Sequence, residues 1–142
     1  MLLGHFLERS GPDVPALVLR GRLWDSLHQA DAAEADLRRA VELAPENALA
    51  QGALAGLLNR SGHTREAIYH YQLAERLRPL DAAILLGLAR AYTDAADLAE
   101  AQARLDELLD AAPKHVDGLV ERGRLALRRS QFAEASPFWP GR

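Results

Sequence analysis

The sequence predicts an all-α fold, an α-solenoid of stacked antiparallel helix pairs, and three observations predict it. The first is composition. Of 142 residues, 27 are alanine and 26 leucine, against five valines and two isoleucines. Alanine and leucine are strong helix formers, and the β-branched residues that suit strands are scarce. The second is punctuation: Pro45, Pro79 and Pro113 recur at steps of 34 residues. The third is a set of columns with the same period. One holds Ala33, Ala67, Ala101 and Ala135; one holds the small residues Gly21, Ala55, Ala89 and Gly123; one holds the large residues Leu37, Tyr71, Leu105 and Trp139. A helix pair of this length cannot bury its apolar face alone, so a repeated pair must stack on its neighbours.

The elements follow in order. Residues 1–12 read as the remnant second helix of a preceding repeat, with Leu3 and Phe6 at its packing positions. The apolar start ends at Glu8 and Arg9, with no basic n-region and no small-residue cleavage site, so no secretory signal is read and a cytoplasmic location is expected. Repeat 1 spans 14–47, repeat 2 spans 48–81, repeat 3 spans 82–115, and 116–142 is a partial repeat 4. In repeat 2, Asn47 is expected to cap a helix from Ala48 to Arg60. Ser61, Gly62 and His63 break it, and Thr64 is expected to cap a second helix ending near Pro79. In repeat 3, Asp81 caps the first helix, and Asp97 with Glu100 forms a capping-box-like start to the second. In partial repeat 4, residues 116–129 form a first helix whose short partner begins at Phe132 and meets Pro137 and Pro140. Its apolar face, with Leu119 and Leu125, is then open, and Phe138 and Trp139 are expected to fold back over it. Residues 14–27 and 116–129 share 7 of 14 positions, among them Leu17/Leu119, Arg20/Arg122 and Gly21/Gly123.

Chemistry is thin. The chain has no cysteine, which removes disulfides, thiolate metal ligands and thiol nucleophiles. The five histidines, His5, His28, His63, His70 and His115, form no i, i+4 pair of the zinc-helix kind. Gly52 and Gly56 sit within one helix and form no phosphate-binding loop. No enzyme activity, cofactor or metal is read. The net charge of −3 argues against nucleic acid, and no apolar run is long enough to span a membrane.

With the period and columns in hand, the chain resembles the tetratricopeptide repeat family, whose units carry alanine, small and large residues and a proline at these spacings. Leu108 and Ala126 depart from that pattern. The resemblance implies a right-handed superhelix whose first helices line a concave groove that holds a peptide. Carried over residue by residue, groove positions fall on Val18, Gly52, Leu86 and Val120, on Arg22, Gly56, Arg90 and Arg124, and on Asp25, Asn59 and Thr93. A row of arginines would suit an acidic peptide or partner protein. The same arginines also read as a solvated face, since 16 of 17 basic residues are arginine. Replacing Arg22, Arg90 and Arg124 is expected to cost within about 0.5 kcal/mol per site. The two-carboxylate clamp of chaperone-tail adaptors is absent: its positions hold Val18, Arg22, Ala53, Ala83 and Gly87. The expected function is a non-catalytic protein–protein interaction scaffold. The alternatives are a repeat segment of a larger enzyme or regulatory protein, and a module that self-associates head to tail.

Overall fold

A computed structural model describes residues 13–135. Among them the chain forms seven α-helices and no strand: α1 (Val14–Ser26), α2 (Ala30–Leu43), α3 (Ala48–Arg60), α4 (Thr64–Leu77), α5 (Ala82–Asp94), α6 (Leu98–Ala111) and α7 (Val116–Ala135). The first helices start at 14, 48, 82 and 116, one per 34 residues. The chain divides into two compact units, Met1–Arg78 and Pro79–Arg142.

In the first unit α1 pairs with α2 and α3 with α4, while α2 packs on α3 and α1 touches α3. The alanine and small-residue columns decide how close the pairs come. Ala33, Ala67, Ala55 and Gly21 are buried, and a Cβ at Gly21 would lie 2.7 Å from Leu37 Cγ. The large column fills the space those residues leave, with Leu37 and Tyr71 buried. Asn47 caps α3 as expected, accepting from Ala50 N at 3.0 Å. Thr64 does not cap α4. His63 is the N-cap residue, so Thr64 is already helical and its hydroxyl donates back to Asn59 Oδ1 at 2.9 Å.

In the second unit α5 pairs with α6, and α7 packs on both. Leu85, Leu86 and Leu108 form one buried cluster. Asp81 caps α5 by accepting from Ala83 N and Ile84 N, and Asp97 caps α6 by accepting from Glu100 N. Leu125, expected to be open, is 1% exposed, because it lies on the side of α7 that meets the preceding pair; Leu119 is 37% exposed. The expected break between 129 and 132 does not occur, and α7 runs on to Ala135.

The three turns inside the pairs explain that continuity. Each turns on a residue at positive φ: His28 at 61°, Gly62 at 89° and Ala96 at 62°. A non-glycine residue pays strain there, which packing of the returning helix offsets. At the matching position, Ser130 remains helical. With Pro137 close behind, a returning helix would be too short to offset the strain. The expected remnant helix at 1–12 and the Phe138–Trp139 cap lie outside the described residues.

Candidate functional site

The first helices carry the candidate surface, and each unit builds its own part. In the first unit α1 offers Val18, Arg22 and Asp25, and α3 offers Gly52, Gly56 and Asn59. Val18 is 2% exposed, so it belongs to the core and offers no surface. Arg22 is exposed and has no hydrogen bond or ion pair among the described residues. Asp25 is taken by Arg60, the last residue of α3, which bridges the two first helices. Asn59 is held from behind by the Thr64 hydroxyl. A Cβ at Gly52 would meet nothing within 4 Å, so nothing in the described chain uses the backbone approach that a glycine permits there. A Cβ at Gly56 would sit 3.2 Å from Tyr71 Oη and 3.4 Å from Arg60 Nη1, both far ends of long side chains.

Beneath this floor lies a buried polar chain. Gln51, 1% exposed, donates from Nε2 to Pro45 O at 2.9 Å. That orients its Oε1 toward His70 Nδ1, 2.7 Å away, so the ring carries its proton on Nδ1. Burial pushes the His70 pKa down, with Glu66 opposing and Arg38 adding to the shift. Glu66 is held below its usual range by a hydrogen bond from Arg38, which also pairs with Glu34.

In the second unit the expected arginine row is already occupied. Arg124 donates to both oxygens of Glu121, at 2.8 and 2.9 Å, and also pairs with Asp94. Arg90 approaches Glu121 at 3.6 Å. Burial opposes the charge on Arg124, yet the bonds to Glu121 and Asp94 outweigh it and hold its pKa above the usual value. Glu121 is 3% exposed. Removing Arg124 would weaken the pairing of a buried carboxylate, so the small cost expected of a surface site does not hold there. Leu86 is 8% exposed, packed with Leu85 and Leu108, and Thr93 is 0% exposed, its hydroxyl donating to Ala89 O at 2.8 Å. Both belong to the core. Val120 is 65% exposed.

Sequence reading missed Arg60, Asp94 and Glu121. A signal was available. Asp25 and Arg60 are 35 residues apart, Asp94 and Arg124 are 30 apart, and a 34-residue period brings such positions side by side on successive first helices. Among the described residues no group of three metal-ligating side chains occurs, and no helix is long and apolar enough to cross a membrane.

Comparison with known proteins fits this architecture. A tetratricopeptide repeat family model matches residues 58–123. The first tetratricopeptide domain of human RPAP3, solved by NMR, superposes with a TM-score of 0.80 at 15% identity, covering 87% of this chain and 97% of that one. The first such domain of Spaghetti (RPAP3), bound to the HSP90 peptide SRMEEVD, gives 0.77 at 16% identity, covering 82% and 93%. The Sgt2 domain from Aspergillus fumigatus gives 0.75 at 20% identity, covering 87% and 82%. No curated protein matches the chain in sequence. The 34-residue helix pairs, the family match over residues 58–123 and the shared fold make this chain similar to tetratricopeptide repeat proteins.

Proposed function

We propose that the chain is a non-catalytic protein–protein interaction scaffold that binds an extended peptide along its first helices. The observation that carries this reading is the open backbone floor at Gly52, beside Gly56, Asn59 and the exposed Arg22, which has no partner among the described residues. Two glycines in one helix cost about 1 kcal/mol each relative to alanine. At Gly52 no packing within the described chain offsets that cost, and a ligand seated on the backbone would. The Spaghetti domain supports the reading at the level of the fold, since it holds a peptide. The chaperone-tail clamp is missing here, so a ligand of that kind is not expected. Anion recognition narrows to Arg22, because Arg90 and Arg124 meet the chain's own carboxylates.

A peptide selected from a random displayed library against the intact chain tests this. Gly52→Phe fills the floor without touching the packing, so the melting temperature should hold while affinity drops at least about tenfold. Arg22→Ala should weaken the peptide and flatten its salt dependence. A selected peptide whose affinity ignores both substitutions binds elsewhere and overturns the reading.

A further inference from the structure

The last helix presents a face whose partner is displayed by the first helix pair. Leu119, Arg122 and Gly123 of α7 match Leu17, Arg20 and Gly21 of α1 in sequence. In the first unit this face is covered by α2. Leu17 is 4% exposed. Leu37 sits in the notch above Gly21, its Cγ 2.7 Å from where a Cβ would stand. Asp36, the residue before that leucine, accepts from Arg20 Nε at 2.7 Å and Nη2 at 2.9 Å.

On α7 the same three features are open among the described residues. Leu119 is 37% exposed, and a Cβ at Gly123 would meet nothing within 4 Å. Arg122 has no hydrogen bond or ion pair among the described residues, and neither has Arg129, seven residues on and so on the same side of the helix. Residues 130–135 continue α7 and do not return to cover it. The segment 114–142 carries a net charge of +3. The face is therefore apolar, notched and basic, and the geometry of α1 with α2 says what closes it.

We propose that the Leu119–Arg122–Gly123 face of α7 docks an acidic amphipathic helix of another protein. It seats as α2 seats on α1, with a leucine in the Gly123 notch and a carboxylate on the preceding residue paired to Arg122. This face is distinct from the peptide surface on α1 and α3.

The probe is a hydrocarbon-stapled peptide of residues 29–44, the α2 sequence, titrated into the intact chain and followed by amide NMR. The chain's own α2 holds α1 at high effective concentration, so the expected shifts fall on residues 116–130 and saturate below about 1 mM. Gly123→Leu, which fills an open notch, should preserve the fold and weaken the peptide at least about tenfold. Arg122→Glu should weaken it, and Asp36→Arg in the peptide should restore it. The swap also decides the matter if Gly123→Leu disturbs α7. No shift on α7 at about 1 mM overturns the proposal; so do shifts confined to 14–26, and so does binding indifferent to both substitutions.

Discussion

α1 and α7 share half of their aligned side chains, and the shared valine and leucine at Val18/Val120 and Leu17/Leu119 meet opposite fates. Val18 is 2% exposed and Val120 is 65%; Leu17 is 4% exposed and Leu119 is 37%. Burial is conferred by the neighbouring helices, not by the residue. A substitution should then cost what its covered copy has at stake, and the paired positions form a set of controlled comparisons.

The largest contrast is in apolar burial. Leu17→Ala should lose about 2–4 kcal/mol of stability through lost contact and a cavity, and Leu119→Ala under about 1 kcal/mol, by urea unfolding. Equal losses would break the comparison by showing that α7 is covered. The glycines come next and should differ in sign. Gly21→Ala drives a Cβ to within 2.7 Å of Leu37 Cγ, a clash worth about 1–3 kcal/mol. Gly123→Ala has open space, so the gain in helix propensity should raise stability by about 0.5–1 kcal/mol. Third are the arginines. Arg20→Ala leaves Asp36, 8% exposed, without its two-bond partner. The Arg20 side chain is itself 47% exposed, so the loss should be about 1–2 kcal/mol. Arg122→Ala should fall within about 0.5 kcal/mol.

The smallest effect sharpens the comparison with pH. His70 holds in the second pair the place that Asp36 holds in the first. Its pKa is lowered by burial, so the unfolded chain takes the proton more readily than the folded one. Stability is full above the ordinary histidine value of about 6.5 and declines as pH falls below it. Glu66, held low by Arg38, adds a further loss as pH drops through the usual carboxylate range. His70→Gln should flatten the first decline and leave the second. An urea midpoint unchanged between about pH 7.5 and 5.5 in the parent would show that His70 charges in place at no cost.

The pairs were legible because prolines and small residues recur in a period that one sequence displays. Pro45, Pro79 and Pro113 mark the joints, and Asn47 and Asp81 announce caps with their own side chains. The fate of residues 130–135 was less legible, since whether a turn forms depends on the helix that would follow it. The candidate surface was legible only in part. Position in the repeat put Val18, Leu86 and Thr93 on the groove, but packing buries all three. Arg90 and Arg124 were read as receptors for a foreign carboxylate because the chain's own carboxylates were not set against them. Glu121 lies three residues before Arg124 on the same helix and was legible there; the pairs Asp94–Arg124 and Arg90–Glu121 join successive first helices and had to be placed in space before the charges could be balanced.

The turns within the pairs have a consequence for cleavage and grafting. Each spans three residues and is closed by backbone bonds, Gln29 N to Trp24 O, His63 N to Leu58 O and Asp97 N to Tyr92 O, at 2.8–2.9 Å. A protease must draw out roughly ten residues of extended chain to cut, and these turns offer no such length without unzipping a helix end. An epitope inserted at Ser61–His63 would have to break the bond that closes the turn and the hydroxyl contact from Thr64 to Asn59. Such an insertion should convert a pair that resists digestion into two separately cleavable helices.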